Sequence, residues 1–119
     1  MPPSITSILA RIVEKLKDEY RPERIILFGS YAYGTPNEDS DIDLFILKES
    51  DKRRWERGVD VKRIITDSKR GIPVSPIVYS PSELDKRLEM GDQFIEEIIQ
   101  RGIELYPAFN YTGFPLPRE

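Results

Sequence analysis

Two aspartates near the middle of the chain are the residues best suited to chemistry. Asp41 and Asp43 open the run DIDLFIL, which ends at Leu47 and has the apolar, β-prone composition of a strand. Because side chains alternate along a strand, both carboxylates are predicted to lie on one face, with Cα atoms about 7 Å apart. Their oxygens can then converge on one or two divalent cations, and such a cation would remove the repulsion between the two charges.

The amino-acid composition narrows the chemistry further. The chain has no cysteine and no histidine, which excludes disulfides, thiolate catalysis, imidazole-bound zinc and Ser-His-Asp triads. A bound metal is therefore expected to be a hard cation on oxygen ligands, Mg²⁺ or Mn²⁺. The net charge of −3, the lack of a long apolar run and the lack of a signal pattern predict a cytoplasmic protein. Bulk charge does not hold such a protein on nucleic acid.

A second candidate site precedes the aspartates by ten residues. The apolar run RIILF ends at Gly29-Ser30, and the chain then enters a predicted helical turn. Free backbone N–H groups and the Ser30 hydroxyl at such a turn can bind an anion, and Gly29 lets a phosphate approach the backbone closely. Gly-Ser alone is more typical of an ordinary strand-to-helix turn. With Asp-x-Asp on the next strand, it predicts a metal-bound triphosphate.

The elements that must position these residues follow from the apolar pattern. A first helix has Ser4 as its candidate cap and stops at Pro22. Strands are predicted over 24–28, 41–47 and 72–79, and a short last one over 103–106. The expected fold class is α/β, a small mixed sheet of three to four strands flanked by helices. It would occupy residues 1–106, followed by an irregular tail at 107–119.

Two further helices are predicted in the second half of the chain. One is predicted from Asp51 to about Lys69, and its inward face is expected to include Trp55, Val59 and Ile64 or Ile65. The other should begin after a capping box of Ser80 and Glu83 and run to about Arg101. The strand between them contains Pro73 and Pro76, which favours an edge or irregular strand.

The cations that follow the acidic strand have two interpretations. They could meet a triphosphate or an acceptor, or they could form a solvated helix face. These residues are Lys48, Lys52, Arg53, Arg54 and Arg57.

With these motifs in place, the chain resembles the DNA polymerase beta nucleotidyltransferase superfamily. GSYAYGTPNEDSDIDLFIL is similar to its Gly-Ser-x10-Asp-x-Asp signature, and the resemblance is closest to the minimal nucleotidyltransferases that include the antitoxin partners of HEPN toxins. It implies a polymerase beta-like fold, with Asp41 and Asp43 as catalytic metal ligands and Gly29 and Ser30 holding the nucleotide. It also implies a nucleoside triphosphate, expected to be ATP, and Mg²⁺. Because 119 residues leave no room for template-binding domains, no template nucleic acid is expected.

The chain departs from this family at one position. Active members carry a third carboxylate on the strand after the intervening helix, where this sequence has Ser75 in Val74-Ser75-Pro76. Asp60 follows Leu47 too soon to lie on that strand, so it is predicted on the crossover helix. Two functions stay open. One is transfer of a nucleoside monophosphate to a protein or RNA hydroxyl. The other is an antitoxin or binding module that acts by contact with a HEPN-type partner.

Overall fold

The computed structural model describes residues 3–69 and 71–107, with side chains from residue 5 onward. Five helices and four strands lie within these ranges. In chain order they are α1 (Pro3–Glu19), β1 (Arg24–Phe28), α2 (Ser30–Tyr33), β2 (Ile42–Leu47), α3 (Arg54–Ile65), β3 (Val74–Tyr79), α4 (Pro81–Glu89), α5 (Gln93–Arg101) and β4 (Ile103–Tyr106). None of the helices in the described part of the chain is long and apolar enough to cross a membrane.

The four strands form one mixed sheet in the order β3-β2-β1-β4. β1 is antiparallel to both of its neighbours, and β2 is parallel to β3, with α3 as the crossover between them. The end of β1 therefore lies beside the start of β2, and Phe28 pairs with Asp43. The start of β3 lies on the other side of β2, where Ser75 pairs with Asp43. The predicted α/β class and mixed sheet are confirmed.

Each face of the sheet is covered by a separate apolar cluster. Side chains of α1 and α3 pack on one face, where Leu16, Leu44 and Val61 are fully buried. Side chains of α4 and α5 pack on the other, where Phe45, Ile95 and Ile98 are buried. Because β1 and β2 are covered on both faces, they are apolar at nearly every position.

The predicted bounds hold for β1 and β4, and three other predictions are confirmed. β3 is an edge strand, as its prolines indicate, Asp60 lies within α3, and Ser80 caps α4. The Ser80 hydroxyl accepts from the Glu83 N–H, and the Glu83 carboxylate accepts from the Ser80 N–H. Residues 108–119 of the predicted tail lie outside the described residues.

The inward face predicted for α3 is wrong at Trp55 and Val59 and confirmed at Ile65, which is fully buried. Trp55 is 66% exposed and Val59 is 51% exposed. The buried positions are Arg57, Val61 and Ile65, which are spaced four residues apart. An arginine occupies the first of them, so the apolar pattern alone assigned the wrong phase to the first half of the helix.

Three helix boundaries also differ from prediction. α3 spans Arg54–Ile65 instead of Asp51 to about Lys69. The single helix expected from residue 80 to about Arg101 is divided into α4 and α5 at Met90, Gly91 and Asp92. Gly91 has φ 72°, which ends α4, and the Asp92 carboxylate caps α5 by accepting from the N–H groups of Phe94 and Ile95. α1 begins at Pro3, so Ser4 lies inside the helix and is not its cap.

The charge of Arg57 can be buried because its guanidinium has partners in the loop before α3, in β3 and in α4. It donates to the carbonyls of Ser50, Lys52 and Val78, and its Nη1 lies 2.6 Å from Glu83 Oε1. Burial alone would raise the pKa of Glu83. The Ser80 N–H and Arg57 outweigh this effect and lower that pKa from 4.5 to about 2. This ion pair ties α3 to the start of α4.

Replacing Glu83 by glutamine should therefore reduce stability in a pH-dependent way. Since the pKa of Glu83 is lower in the folded state, its charge stabilises the fold above about pH 4.5, and this contribution is lost as the pH falls toward 2. Glutamine can still close the capping box, but it leaves Arg57 with only carbonyl partners. We expect Glu83→Gln to lower the free energy of unfolding at pH 7 by about 2 kcal/mol.

Urea unfolding of wild type and variant between pH 7 and pH 3 measures this difference, which should shrink with decreasing pH. Glu89→Gln, at an exposed position at the end of the same helix, is the control and should change stability little at either pH. A Glu83→Gln deficit that stays constant over the whole range would contradict the assigned ion pair.

Candidate active site

The two predicted aspartates and Ser75 come together at one rim of the sheet. Asp43 is the second residue of β2 and pairs with Phe28 of β1 on one side and with Ser75 of β3 on the other. Asp41 lies one residue before β2 begins. The Ser75 hydroxyl donates to Asp41 Oδ2 at 2.8 Å. Position 75, predicted as the third acidic position of the related enzymes, thus contacts the aspartate pair and holds a hydroxyl.

Gly29 lies directly against Asp43. Its φ is 75°, a conformation that favours glycine, and a Cβ added at this position would overlap Asp43 Oδ2. The turn at the end of β1 and the carboxylate at the start of β2 are therefore packed against each other. A side chain at position 29 would displace Asp43 as well as obstruct a phosphate, so Gly29→Val perturbs both parts of the site.

Ser30 opens α2 and is tied to the loop that leads to the aspartates. Its hydroxyl donates to Ser40 Oγ at 3.0 Å, and Ser40 Oγ also accepts from the N–H of Asn37. The Asn37 side chain in turn accepts from the N–H of Asp39. These hydrogen bonds hold loop 34–41 beside the Gly29–Ser30 turn, so the predicted phosphate residues and the aspartate pair form one continuous site.

The electrostatics of the pair favour a counter-ion. Partial burial, followed by the negative charge of Asp41, raises the pKa of Asp43 above its ordinary value. Both effects penalise the charged form of Asp43 in the protein alone. A cation bound between the two carboxylates would remove this penalty.

The donor set fits Mg²⁺ or Mn²⁺ bound together with a nucleotide. These ions prefer oxygen ligands, and Mg²⁺ is commonly held by one or two carboxylates plus substrate phosphates. In the described residues no cluster of three or more acidic, histidine or cysteine side chains could hold a metal. Asp41 and Asp43 could supply two carboxylate ligands to such an ion, and phosphate oxygens would complete its coordination.

Asp60 and Glu83, the two other acidic residues considered for the third position, have different partners. Asp60 contacts Lys52 at 2.7 Å and Arg63 at 3.0 Å, and the hydrogen bond from Lys52 lowers its pKa. Glu83 pairs with Arg57 beyond the end of β3 that is remote from Ser75. Three strand residues separate Ser75 from Tyr79, the last residue of β3, and Glu83 follows that end, so Glu83 is far from the aspartate pair.

The cations that follow β2 are likewise distant from the aspartates, because β2 starts at the site and ends at the other rim of the sheet. Arg57 and Lys52 form the ion pairs described above, and Arg54 lies over the Tyr79 ring at 4.5 Å. A different arginine borders the site. Arg101, at the end of α5, lies 4.3 Å from the ring of Tyr33 in α2. Its position depends on the packing of α5 on β1, which residue spacing did not indicate.

Comparison with known proteins identifies the family. Residues 9–106 match the nucleotidyltransferase domain, so the chain belongs to the family of nucleotidyltransferase domain proteins. Three relatives from Methanocaldococcus jannaschii are named as candidate protein adenylyltransferases. They are 38%, 35% and 32% identical over 85, 91 and 102 residues. The matches cover 67%, 76% and 82% of this chain and 58%, 83% and 94% of the relatives, so the chain spans little more than half of the first one.

Solved structures share the fold at low sequence identity. A candidate nucleotidyltransferase from Sulfolobus solfataricus superposes with a TM-score of 0.54 at 22% identity, over 86% of this chain and 81% of that one. A chain from a toxin–antitoxin complex crystallised with AMP-PNP gives a TM-score of 0.53 at 22% identity, over 82% and 72%. At these identities the likeness establishes only that the chain shares the fold of these proteins.

The crowded carboxylates generate a stability prediction for the metal-free protein. Asp43→Asn removes a half-buried charge that Asp41 repels, and the amide can occupy the same space beside Gly29. We expect the variant to have a higher melting temperature than wild type at pH 7 in the presence of EDTA.

Differential scanning calorimetry measures this effect. Asp39→Asn, in the exposed part of the same loop, removes the same charge without relieving the crowding and should leave the melting temperature nearly unchanged. A lower melting temperature for Asp43→Asn would show that its charge is stabilised by contacts other than those described.

Proposed function

We propose that this protein is an Mg²⁺-dependent adenylyltransferase that transfers AMP from ATP to a hydroxyl of another protein. The observation that carries the proposal is the contact between the Gly29 turn and Asp43, which joins a phosphate-binding turn to a metal-binding carboxylate pair. The naming of three relatives as candidate protein adenylyltransferases supports ATP as the nucleotide and a protein as the acceptor. A hydroxyl at an RNA end is the other acceptor that the chemistry allows.

Each part of the proposed site has a separate role in the reaction. The backbone at Gly29 and the Ser30 hydroxyl bind and orient the phosphates. Asp41 and Asp43 would hold Mg²⁺ or Mn²⁺, which when bound neutralises phosphate charge and polarises the reacting phosphoryl group. Loop 34–41 and its hydrogen bonds to Ser30 keep these groups in register before the nucleotide arrives.

The reaction balances as a nucleophilic displacement at the α-phosphorus. The acceptor oxygen forms a bond to that phosphorus, and the bond from the α-phosphorus to the oxygen bridging to the β-phosphate breaks. Pyrophosphate leaves, and the proton of the acceptor hydroxyl passes to solvent. The AMP-modified acceptor and pyrophosphate are the products.

Ser75 limits the rate of this reaction in our proposal. Its hydroxyl donates to Asp41 and, at neutral pH, does not act as a base, whereas a general base typically contributes about 10²–10⁴-fold. We therefore expect Mg-ATP to bind well and to be transferred slowly by the isolated protein.

A second candidate function follows from the same serine. A chain that binds the nucleotide without efficient transfer could act as an antitoxin-like module that neutralises a HEPN-type partner by contact. The fold shared with a chain of the toxin–antitoxin complex crystallised with AMP-PNP supports this alternative. The two functions differ in whether a purified partner becomes AMP-modified when Mg-ATP is present.

The metal assignment is tested by isothermal titration calorimetry. With ATP present, wild type should bind Mg²⁺ or Mn²⁺, and the double variant Asp41→Asn/Asp43→Asn should lose nucleotide-dependent metal binding because amides are weak ligands for hard cations. Asp39→Asn is the matched control and should bind like wild type. Unchanged metal binding by the double variant would refute the assignment of Asp41 and Asp43.

The role of position 75 is tested by single-turnover transfer of AMP. Ser75 contacts Asp41, so Ser75→Asp places a third carboxylate at the pair, and we expect the transfer rate to rise about 10²-fold. Ser75→Asn has a similar shape without the charge and should give no increase. Fast transfer by wild type that is abolished by Asp60→Asn or Glu83→Gln would show that another carboxylate completes the site.

A further inference from the structure

One exposed surface is unused by the proposed chemistry. Trp55, Gly58, Val59 and Lys62 are spaced as one stripe along α3, on the side that borders β3. Between this stripe and the outer edge of β3 lies a groove of about 530 Å³. The groove reaches Ser75, whose hydroxyl contacts Asp41, so one end of the groove lies next to the aspartate pair.

Gly58 forms the floor of this groove, and its lack of a side chain is not explained by packing. A glycine inside a helix destabilises it relative to alanine, and here packing does not require one. A Cβ at position 58 would meet its nearest neighbour, the carbonyl oxygen of Pro76, at 3.9 Å, which is an ordinary contact. Glycine at position 58 therefore lowers the stability of α3 relative to alanine, and it leaves the floor of the groove open.

The groove walls combine apolar surface with positive charge. Trp55 and Val59 are more than half exposed, and large exposed apolar side chains in a concave surface are typical of interaction sites. The charged residues lining the groove are Lys62 and Arg54, and the Arg54 guanidinium lies 3.8 Å from Glu83 Oε2. Among the described residues Lys62 forms no ion pair, so its charge is available to an acidic partner.

The edge of β3 is a poor template for an added strand. Pro76, in the middle of this edge, has no N–H to donate. The carbonyl of Val78 already accepts from Arg57. An occupant of the groove must therefore be recognised mainly through its side chains.

We propose that this groove docks the acceptor polypeptide, as an extended segment of three or four residues with apolar and acidic side chains that presents a hydroxyl at Ser75. The proposal rests on the proposed function, since it names the acceptor of that site. The length follows from the four β3 residues that line the groove, at about 3.3 Å per residue.

Two other occupants fit the groove less well. An RNA backbone is usually held by many cation–phosphate contacts, whereas this groove offers Lys62, the ion-paired Arg54 and apolar walls. A second copy related by two-fold symmetry would place the two stripes against each other, and their cations would repel.

The binding test uses Trp55, the single tryptophan of the chain, as its reporter. The probe is the synthetic peptide acetyl-Glu-Leu-Asp-Val-Tyr-amide, and the matched peptide has Lys in place of Glu and Asp. Titration with the acidic peptide should shift the Trp55 emission to the blue, and the basic peptide should leave it unchanged. A second titration measures Mg-ATP affinity, so that loss of the nucleotide site and loss of the groove are distinguished.

Variants test the groove itself. Gly58→Met fills the floor and should raise the dissociation constant of the acidic peptide at least tenfold, and Gly58→Ala should raise it less while increasing the melting temperature. Lys62→Glu should exchange the preference, so that the basic peptide binds better than the acidic one. Met90→Ala, a control at an exposed apolar position outside the groove, should bind peptide and Mg-ATP like wild type.

Three results would overturn the proposal. One is a peptide affinity that Gly58→Met and Lys62→Glu leave unchanged. Another is an emission shift produced by oligoadenylate RNA and not by the acidic peptide, which would assign the groove to nucleic acid. The last is a wild-type dimer in light scattering that Gly58→Met dissociates, which would assign the groove to a second copy of this chain.

Discussion

The contact between Gly29 and the carboxylate of Asp43 is the constraint on which the site depends. Antiparallel pairing of β1 and β2 brings the end of one strand beside the start of the other, and only a residue without a side chain fits between them. The positive φ of Gly29 then directs the chain into α2 and away from the carboxylate. The Gly29–Ser30 turn and the Asp41–Asp43 pair, the proposed phosphate and metal sites, are thereby placed by backbone packing rather than by flexible side chains.

Stability and chemistry are separated at opposite rims of the sheet. At the rim with Asp41 and Asp43, like charges are partly buried together, an arrangement that disfavours the folded state until a cation binds. At the other rim, Arg57 and Glu83 form a compensated pair that joins α3 to α4. This pair anchors the crossover that aligns β3 with β2, and that alignment sets Ser75 beside Asp41. The Arg57–Glu83 ion pair thus supports the geometry of the rim at which Asp41 and Asp43 repel each other.

Much of the fold could be predicted because its signals are local. The buried strands are short apolar runs, Pro76 indicates an edge strand, and Ser80 with Glu83 forms a capping box within four residues. The face of α3 could not be predicted, because Arg57 is buried only through partners that are 5 to 26 residues away in the chain. A buried arginine with distant partners is indistinguishable from a solvated one in a hydropathy pattern. The break between α4 and α5 was missed because the apolar spacing continues across Gly91.

For the candidate site, the sequence by itself determined which residue types are available and how far apart they lie along the chain. Gly29-Ser30, Asp41 and Asp43, with no cysteine or histidine, predict oxygen-based chemistry on a phosphate ligand. Tertiary structure decided which neighbours these residues have. The packing of the sheet and helices places Ser75 against Asp41, forms the groove between α3 and β3, and puts Glu83 at the opposite rim of the sheet. The reason is physical: strand alternation acts over a few residues, whereas strand order and helix phase depend on packing among the whole set of buried side chains.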